Sequence, residues 1–173
     1  MSIEPGTHTI GPSNGSLKVK TGREGAAAKM GHNLVLGVNS WQATVEGGDN
    51  PSISLTAAPG SVEVVEGSGG AKPLSDKDKG DIKKGITNKV LGGSQITFTS
   101  NSVEDNGGQM IARGDLSIAG KSSQVSVPLS VSGNTISGSV TLSQKDFGIK
   151  QFTAIMGALK VTDQVEVQFE GQG

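Results

Sequence analysis

The sequence predicts an all-β fold with one helix, and three observations carry this prediction. Glycine occurs 27 times in 173 residues while aromatic residues make up 3%, which is typical of short strands joined by many turns. In most apolar segments, apolar and polar residues alternate, as they do in strands with one face in water. One segment instead repeats apolar residues every four positions, the period of a helix. A chain of this length suits a single domain, residues 1–173.

The first part of the chain is predicted to form strands joined by short turns. Leu17 and Val19 alternate with two lysines, which indicates a short strand, and the glycine-containing residues 21–29 indicate a loop. From residue 32 the apolar face falls on even positions, and after Asn39-Ser40 it falls on odd positions. A bulge or tight bend is therefore predicted at Asn39-Ser40. The positions on this face are His32, Leu34, Leu36, Val38, Trp41, Ala43 and Val45.

Similar alternation continues to the end of the chain, with turn signals between the strands. Asn106-Gly107-Gly108 is typical of a hairpin turn. Pro128 predicts an edge strand or a bulge, because proline has no N–H to donate to a sheet. The clearest strand comes last, with three apolar residues on one face and three polar residues on the other. The apolar positions that we assign in this part are Ile53, Leu55, Ala57, Val62, Val64, Val65, Ile96, Phe98, Met110, Ala112, Leu116, Ile118, Val125, Val127, Leu129, Val131, Ile136, Val140, Leu142, Val165, Val167 and Phe169.

Residues 75–91 are predicted to form the single helix. Ser75 can cap it, Asp76 and Asp78 suit the positive end of the helix dipole, and Gly92-Gly93 ends it. Its apolar positions repeat at a spacing of four, while its other faces carry several lysines. We interpret it as an amphipathic helix that lies on the sheet or plugs it, with the lysines on a solvated face.

A bent, aromatic connection precedes the last strand. The run D-F-G-I-K-Q-F places Phe147, Ile149 and Phe152 within a few residues of one another. Three of the four phenylalanines of the chain lie between residues 143 and 169. Such a connection is too apolar to lie wholly in water, which predicts a lid or wall over an apolar interior.

Four blocks of sequence extend the analysis from fold class to family. They are G-T-H-T-I-G-P at residues 6–12, A-A-A-K-M-G-H-N-L-V-L-G-V at 26–38, G-D-L-S-I-A-G at 114–120, and F-G-I followed by G-A-L-K-V-T-D-Q-V-E-V up to residue 167. In this order they resemble the YceI-like family, polyisoprenoid-binding proteins with a lipocalin-like barrel. Strand counting alone leaves a barrel and a sandwich open. The resemblance implies an antiparallel lipocalin-like β-barrel of about eight strands, the number that can hold one small ligand.

Composition excludes several classes of function. A net charge of −1 provides no overall field to attract nucleic acid or anionic lipid surfaces, and the absence of cysteine excludes disulfides and zinc–thiolate sites. No apolar run reaches the roughly 20 residues that span a bilayer, so an integral membrane protein is not expected. The first five residues lack the features of a signal peptide. A cytoplasmic location is therefore expected, or a periplasmic or secreted one if a leader has been removed.

The two histidines are weak candidates for chemistry. His8 and His32 have no local partner at metal-ligand spacing, and no G-x-S-x-G nucleophile motif is present. No cofactor and no metal are therefore expected. His32 matches a polar block of the family and is predicted at the pocket mouth, near a ligand headgroup, although a hydrogen bond with the backbone or with Asn33 is the simpler explanation. His8 is expected to fix the first strand.

The resulting prediction is a non-catalytic carrier for a polyisoprenoid or fatty-acid-like amphiphile held in the barrel interior. The headgroup is expected near His32 or Lys150-Gln151. Two alternatives stay open: a structural or interaction barrel with a filled core, and an enzyme in which a histidine meets Asp146 or Asp163. A homodimer is a further expectation of the resemblance. The predicted ligand contacts are His32, Leu34, Leu36, Val38, Trp41, Ala43, Val45, Phe98, Phe147, Ile149, Phe152, Val165, Val167 and Phe169.

Overall fold

The computed structural model describes residues 3–70, 72–106 and 109–173. Its strands are β1 (Gly6–Ile10), β2 (Gly15–Lys20), β3 (Arg23–Glu24), β4 (His32–Val38), β5 (Trp41–Gly47), β6 (Ser52–Ala57), β7 (Val62–Gly69), β8 (Ile96–Asn106), β9 (Gln109–Ile118), β10 (Lys121–Ser132), β11 (Thr135–Ser143), β12 (Thr153–Ala154), β13 (Leu159–Val161) and β14 (Gln164–Gln172). The helical segments are α1 (Asp76–Gly85), a π-helix (Ile86–Leu91) and the short 3₁₀ turns Ala28–Met30, Pro59–Ser61, Gln144–Phe147 and Ile155–Gly157.

The sheet curls into a half-barrel. Within the described residues, eleven strands form one antiparallel sheet in the order β1-β5-β6-β8-β9-β10-β11-β14-β2-β4-β7, and β12-β13-β3 form a small second sheet. The predicted all-β class and antiparallel barrel architecture are confirmed, but the count of about eight strands was too low. One reason is that Asn39-Ser40 divides an apolar run into β4 and β5. Another is that two-residue strands such as β3 and β12 are too short to show alternation.

The apolar positions of the strands share the concave face. Val19 pairs with both Leu36 and Val167, and Leu17 pairs with Phe169, so alternation brings these side chains to one side of three neighbouring strands. On the convex side the same strands present Lys18, which pairs with Gln168. The hydrophobic core therefore lies inside the curl of the sheet.

Long connections gather at one end of the half-barrel. Strands β2, β9 and β11 finish at this end, and β4, β10 and β14 begin there. The connections are residues 21–31, the helical connection 72–95, and residues 144–163. We call this the lid end, and we call residues 21–31 together with 144–163 the rim. The small sheet joins the two parts of the rim, because β3 belongs to the first and β12 and β13 to the second.

The predicted helix is confirmed and changes character along its length. Ser75 Oγ accepts a hydrogen bond from Asp78 N at 3.1 Å, and Asp78 Oδ2 accepts one from Ser75 N at 3.1 Å, a reciprocal capping box. After α1 the helix widens into the π-helix, which ends at Gly92 with a φ of 66°. Among the described residues, no helix combines the length and the apolar character required to cross a bilayer.

The predicted hairpin turn at residues 106–108 and the predicted edge position of Pro128 have different outcomes. Gly107 and Gly108 of the predicted hairpin lie outside the described residues. Pro128 was expected on an edge strand or at a bulge, yet β10 has neighbours on both sides. The hydrogen-bonded register of β10 with β11 starts only at Leu129, however, so Pro128 lies just before it and pairs with Ile111 of β9 alone. Proline is tolerated there because no ladder bond is lost on the β11 side.

Candidate functional site

The concave face of the sheet is tightly packed at β5. Ala43 and Val45 are completely buried, and the ring of Trp41 is 6% exposed. Trp41 meets Phe169 edge to face, with ring centroids 5.6 Å apart and an angle of 73° between the ring planes. Offset and edge-to-face aromatic pairs of this kind add to the stabilisation from burial. These residues form the floor of the interior, where Leu36, Val38 and Phe98 are buried as well.

Towards the lid end the same face becomes accessible. Its apolar side chains there are half-buried, although they point into the curl of the sheet. A side chain that points inward and is still exposed to water has no protein neighbour over part of its surface. This accessible apolar surface consists of Val19, Leu34, Leu116, Ile118, Val125, Val127, Val165 and Val167. An alkyl or prenyl chain placed there would gain about 0.8 kcal/mol per buried CH₂ without any specific polar contact.

The wall of the half-barrel is interrupted beside this surface. Residues 121–128 of β10 pair only with β9, and residues 139–143 of β11 pair only with β14. The turn Gln144–Phe147 lies against both β10 and β11. Phe147 in this turn is 3% exposed. The predicted aromatic wall is therefore represented by a phenylalanine beside the gap between two strands.

The other two residues of the aromatic connection lie differently. Ile149 is half-buried, while Phe152 is 56% exposed and directs its ring into solvent. Gln151 Nε2 donates a hydrogen bond to a carboxylate oxygen of Glu24, which ties the two parts of the rim together. The predicted headgroup position at Lys150-Gln151 is thus part of a rim contact.

Both histidines bond to main-chain oxygens. His32 Nε2 lies 2.7 Å from the carbonyl oxygen of Lys72, and its ring packs against Gly70, which has a φ of 74°. His8 Nε2 lies 2.8 Å from the carbonyl oxygen of Glu4. No group of three or more His, Asp or Glu suited to a metal ion is found among the described residues. The contact of His32 ties Lys72 to the start of β4.

The π-helix contributes residues that the sequence analysis did not place at the site. Ile86 and Val90 pack against the core, and Leu91 is buried within it. Thr87 lies between them in the chain, and its Oγ1 is buried without a hydrogen-bond partner among the described residues. A buried hydroxyl without a partner is costly, so a ligand that supplies one would be stabilised here. The sequence signal that could have indicated this position is a threonine within the apolar repeat of the helix.

The turn that carries Phe147 is fastened by Asp163. Asp163 Oδ1 accepts a hydrogen bond from Lys145 N at 3.0 Å, its Oδ2 accepts one from Ser143 Oγ, and its carbonyl oxygen accepts one from Gln144 N at 2.9 Å. The Ser143 hydroxyl, followed by the Lys145 N–H, holds the pKa of the Asp163 carboxyl below its usual value of 3.8. These bonds keep residues 143–147 close to the beginning of β14.

This fastening is expected to weaken in acid. Because the folded pKa of Asp163 is lowered, its stabilising contribution is complete above the unfolded value near 3.8 and is lost as the pH falls through the folded value. We expect the wild-type protein to resist urea better than Asp163→Asn at about pH 6, and the difference to shrink below about pH 4. Urea unfolding of both proteins across this range measures it. A difference that stays constant with pH would show that the charge of Asp163 contributes nothing.

Comparison with known proteins places these features in context. A family model described as the YceI-like domain matches residues 30–172. The crystal structure of BcnA from Burkholderia cenocepacia is similar at a TM-score of 0.65 and 19% identity, covering 93% of this chain and 97% of that chain. The crystal structure of the YceI protein of Campylobacter jejuni is similar at a TM-score of 0.57 and 14% identity, covering 80% and 82%. At these identities the likeness establishes the fold. No curated protein matches the sequence.

Proposed function

The chain belongs to the YceI-like family, and from this premise we propose that it is a non-catalytic binding protein for a long apolar ligand. The ligand class is a polyisoprenoid or a fatty-acid-like amphiphile, held inside the half-barrel. The observation that carries the proposal is the accessible apolar surface at the lid end. A filled interior would bury these inward-pointing side chains, whereas a hydrocarbon chain would cover them.

The gradient of burial gives the ligand a direction. Its tail lies along the half-buried side chains of β9, β10 and β14 and stops at the floor formed by Trp41 and Phe169. Leu36, Val38, Ala43, Val45 and Phe98 then support the floor from below rather than contact the tail. Phe147 closes the gap between β10 and β11 beside the tail.

The polar end of the ligand is placed at the lid end. The Thr87 hydroxyl, on the π-helix of the helical connection, is a buried polar group that has no partner among the described residues. His32 is occupied by a main-chain oxygen, so in this proposal it shapes the mouth through the loop after β7 and leaves the headgroup to Thr87. Long apolar ligands gain most of their affinity from the tail, so one hydroxyl suffices for orientation.

Native mass spectrometry with farnesol and palmitic acid tests the proposal. We expect the wild-type protein to take up one chain, and Leu116→Trp to lose uptake because the indole occupies the accessible space. Thr99→Trp, an exposed position on the neighbouring strand β8, is the matched control and should bind normally. A wild-type protein that takes up neither probe would favour the alternative, an interaction protein with a filled core.

A further inference from the structure

Exposed apolar side chains are concentrated on the rim. Of the four large apolar residues that are exposed among those the structure describes, three belong to the rim and only Val65 lies elsewhere, on β7. Met30 is 59% exposed, Phe152 56% and Met156 fully exposed at 107%. Scattered exposed apolar residues are ordinary, but a cluster on one short piece of structure marks an interaction site.

The small sheet holds these three residues together. Val161 N donates to the carbonyl oxygen of Phe152 at 3.0 Å, and Ala27 N donates to the carbonyl oxygen of Ala158 at 2.8 Å. The second bond brings the turn that contains Met30 next to the segment that contains Met156. Phe152, Met30 and Met156 are therefore parts of one structural unit, although they lie in two distant parts of the chain.

Met156 is exposed by its backbone conformation. Its φ of 54° and ψ of 36° lie in the left-handed region, which a residue with a long side chain rarely adopts. Glycine at the next position, with a φ of 86°, completes the bend. This bend presents an apolar side chain to water, and transfer of that side chain to an apolar phase is favourable.

The charge of the rim identifies that phase. The rim carries five cations and three anions, a net charge of +2, in a chain whose net charge is −1. These residues are Arg23, Lys29, Lys145, Lys150, Lys160, Glu24, Asp146 and Asp163. A second copy of the rim would bring like charges together, whereas an anionic lipid surface attracts them and accepts apolar side chains at its headgroup boundary.

We propose that the rim docks the protein on an anionic lipid surface, with Met30, Phe152 and Met156 inserted among the acyl chains. The rim forms part of the lid end, so docking would bring the accessible apolar surface of the interior close to the membrane. A long apolar ligand then moves between bilayer and barrel without crossing water. This inference rests on the proposed function for its purpose, but the docking itself is a separate property of the surface.

Vesicle flotation tests the docking. The wild-type protein is expected to float with vesicles of phosphatidylcholine containing about one third phosphatidylglycerol, and more weakly with phosphatidylcholine alone. Phe152→Ser/Met156→Ser should lower the partition coefficient by about tenfold or more. Lys150→Gln/Lys160→Gln should lower it about fivefold per lysine, with a weaker dependence on salt. Val65→Ser, which removes an apolar side chain outside the rim that is nearly as exposed as Phe152, should leave the partition coefficient unchanged.

Three flotation results would overturn the proposal. They are a wild-type protein that does not float with either vesicle, a rim variant that floats as well as wild type, and a loss of the same size in Val65→Ser. Sedimentation velocity is measured in parallel, and a dimer that only the rim variant loses would assign the rim to self-association. Uptake of farnesol from solution is scored separately. Uptake without flotation would reject docking and retain the ligand proposal. Flotation without uptake would retain docking and reject the ligand proposal.

Discussion

Leu36→Arg is expected to lower the free energy of unfolding by on the order of 4 kcal/mol and to abolish ligand uptake. Leu36 is 6% exposed on the concave face, and its partners on the neighbouring strands are Val19 and Val64. An arginine there places a charge among apolar side chains with no partner in the adjacent ladders. The charge must either remain desolvated or draw water into the interior, and both outcomes oppose folding and an apolar ligand.

Val35→Arg is the matched control for this variant. Val35 is the preceding residue of β4, it points to the opposite face, and its partners are Lys20 and Glu66. An arginine at this position can reach water and the Glu66 carboxylate, so the free energy of unfolding should fall by no more than about 1 kcal/mol. Urea unfolding followed by circular dichroism measures both variants. If both variants lost the same free energy of unfolding, the two faces of β4 would not differ in burial, contrary to the structure.

Much of the fold could be predicted because alternation reports which face of a strand is buried. The same rule that separates Leu36 from Val35 identified the final strand and the bend at Asn39-Ser40. The helix was equally visible, since Ser75 and Gly92 mark its ends. What alternation does not encode is how far two neighbouring strands stay paired. The turn that lies against both β10 and β11 is held by Asp163, whose partner Ser143 lies 20 residues away in the chain.

The candidate site was predictable in its apolar part and less so in its polar part. Residues such as Val165 and Val167 were assigned inward from their period, and they lie on the accessible face. Phe152 was assigned to the same aromatic lid as Phe147, because sequence proximity suggests a common environment. The structure separates them: Phe147 is buried by the turn, whereas Phe152 lies on the small sheet, whose strands are too short to be recognised. The Thr87 hydroxyl, which has no partner among the described residues, lies on the π-helix, and a spacing of four does not distinguish a π-helix from an α-helix.

Trp41→Ala is expected to lower the free energy of unfolding by about 3–5 kcal/mol while ligand uptake continues. The indole is 6% exposed, packs edge to face on Phe169, and lies in the floor beneath the accessible surface. Its removal leaves a cavity that the surrounding strands cannot fill, because β4 and β5 are joined by a tight bend. The tail of a ligand can enter that cavity, so a longer prenyl chain should bind with less loss than a shorter one.

Trp41→Phe separates packing from simple loss of volume. It keeps an aromatic ring against Phe169. We therefore expect it to lower the free energy of unfolding by roughly 1–2 kcal/mol, less than half the effect of Trp41→Ala. Since Trp41 is the single tryptophan of the chain, unfolding has to be followed by circular dichroism rather than by tryptophan fluorescence. If Trp41→Ala instead unfolds at the wild-type urea concentration but no longer takes up farnesol, the indole contacts the ligand directly. The boundary between floor and accessible surface would then lie one layer deeper, at Ala43 and Val45.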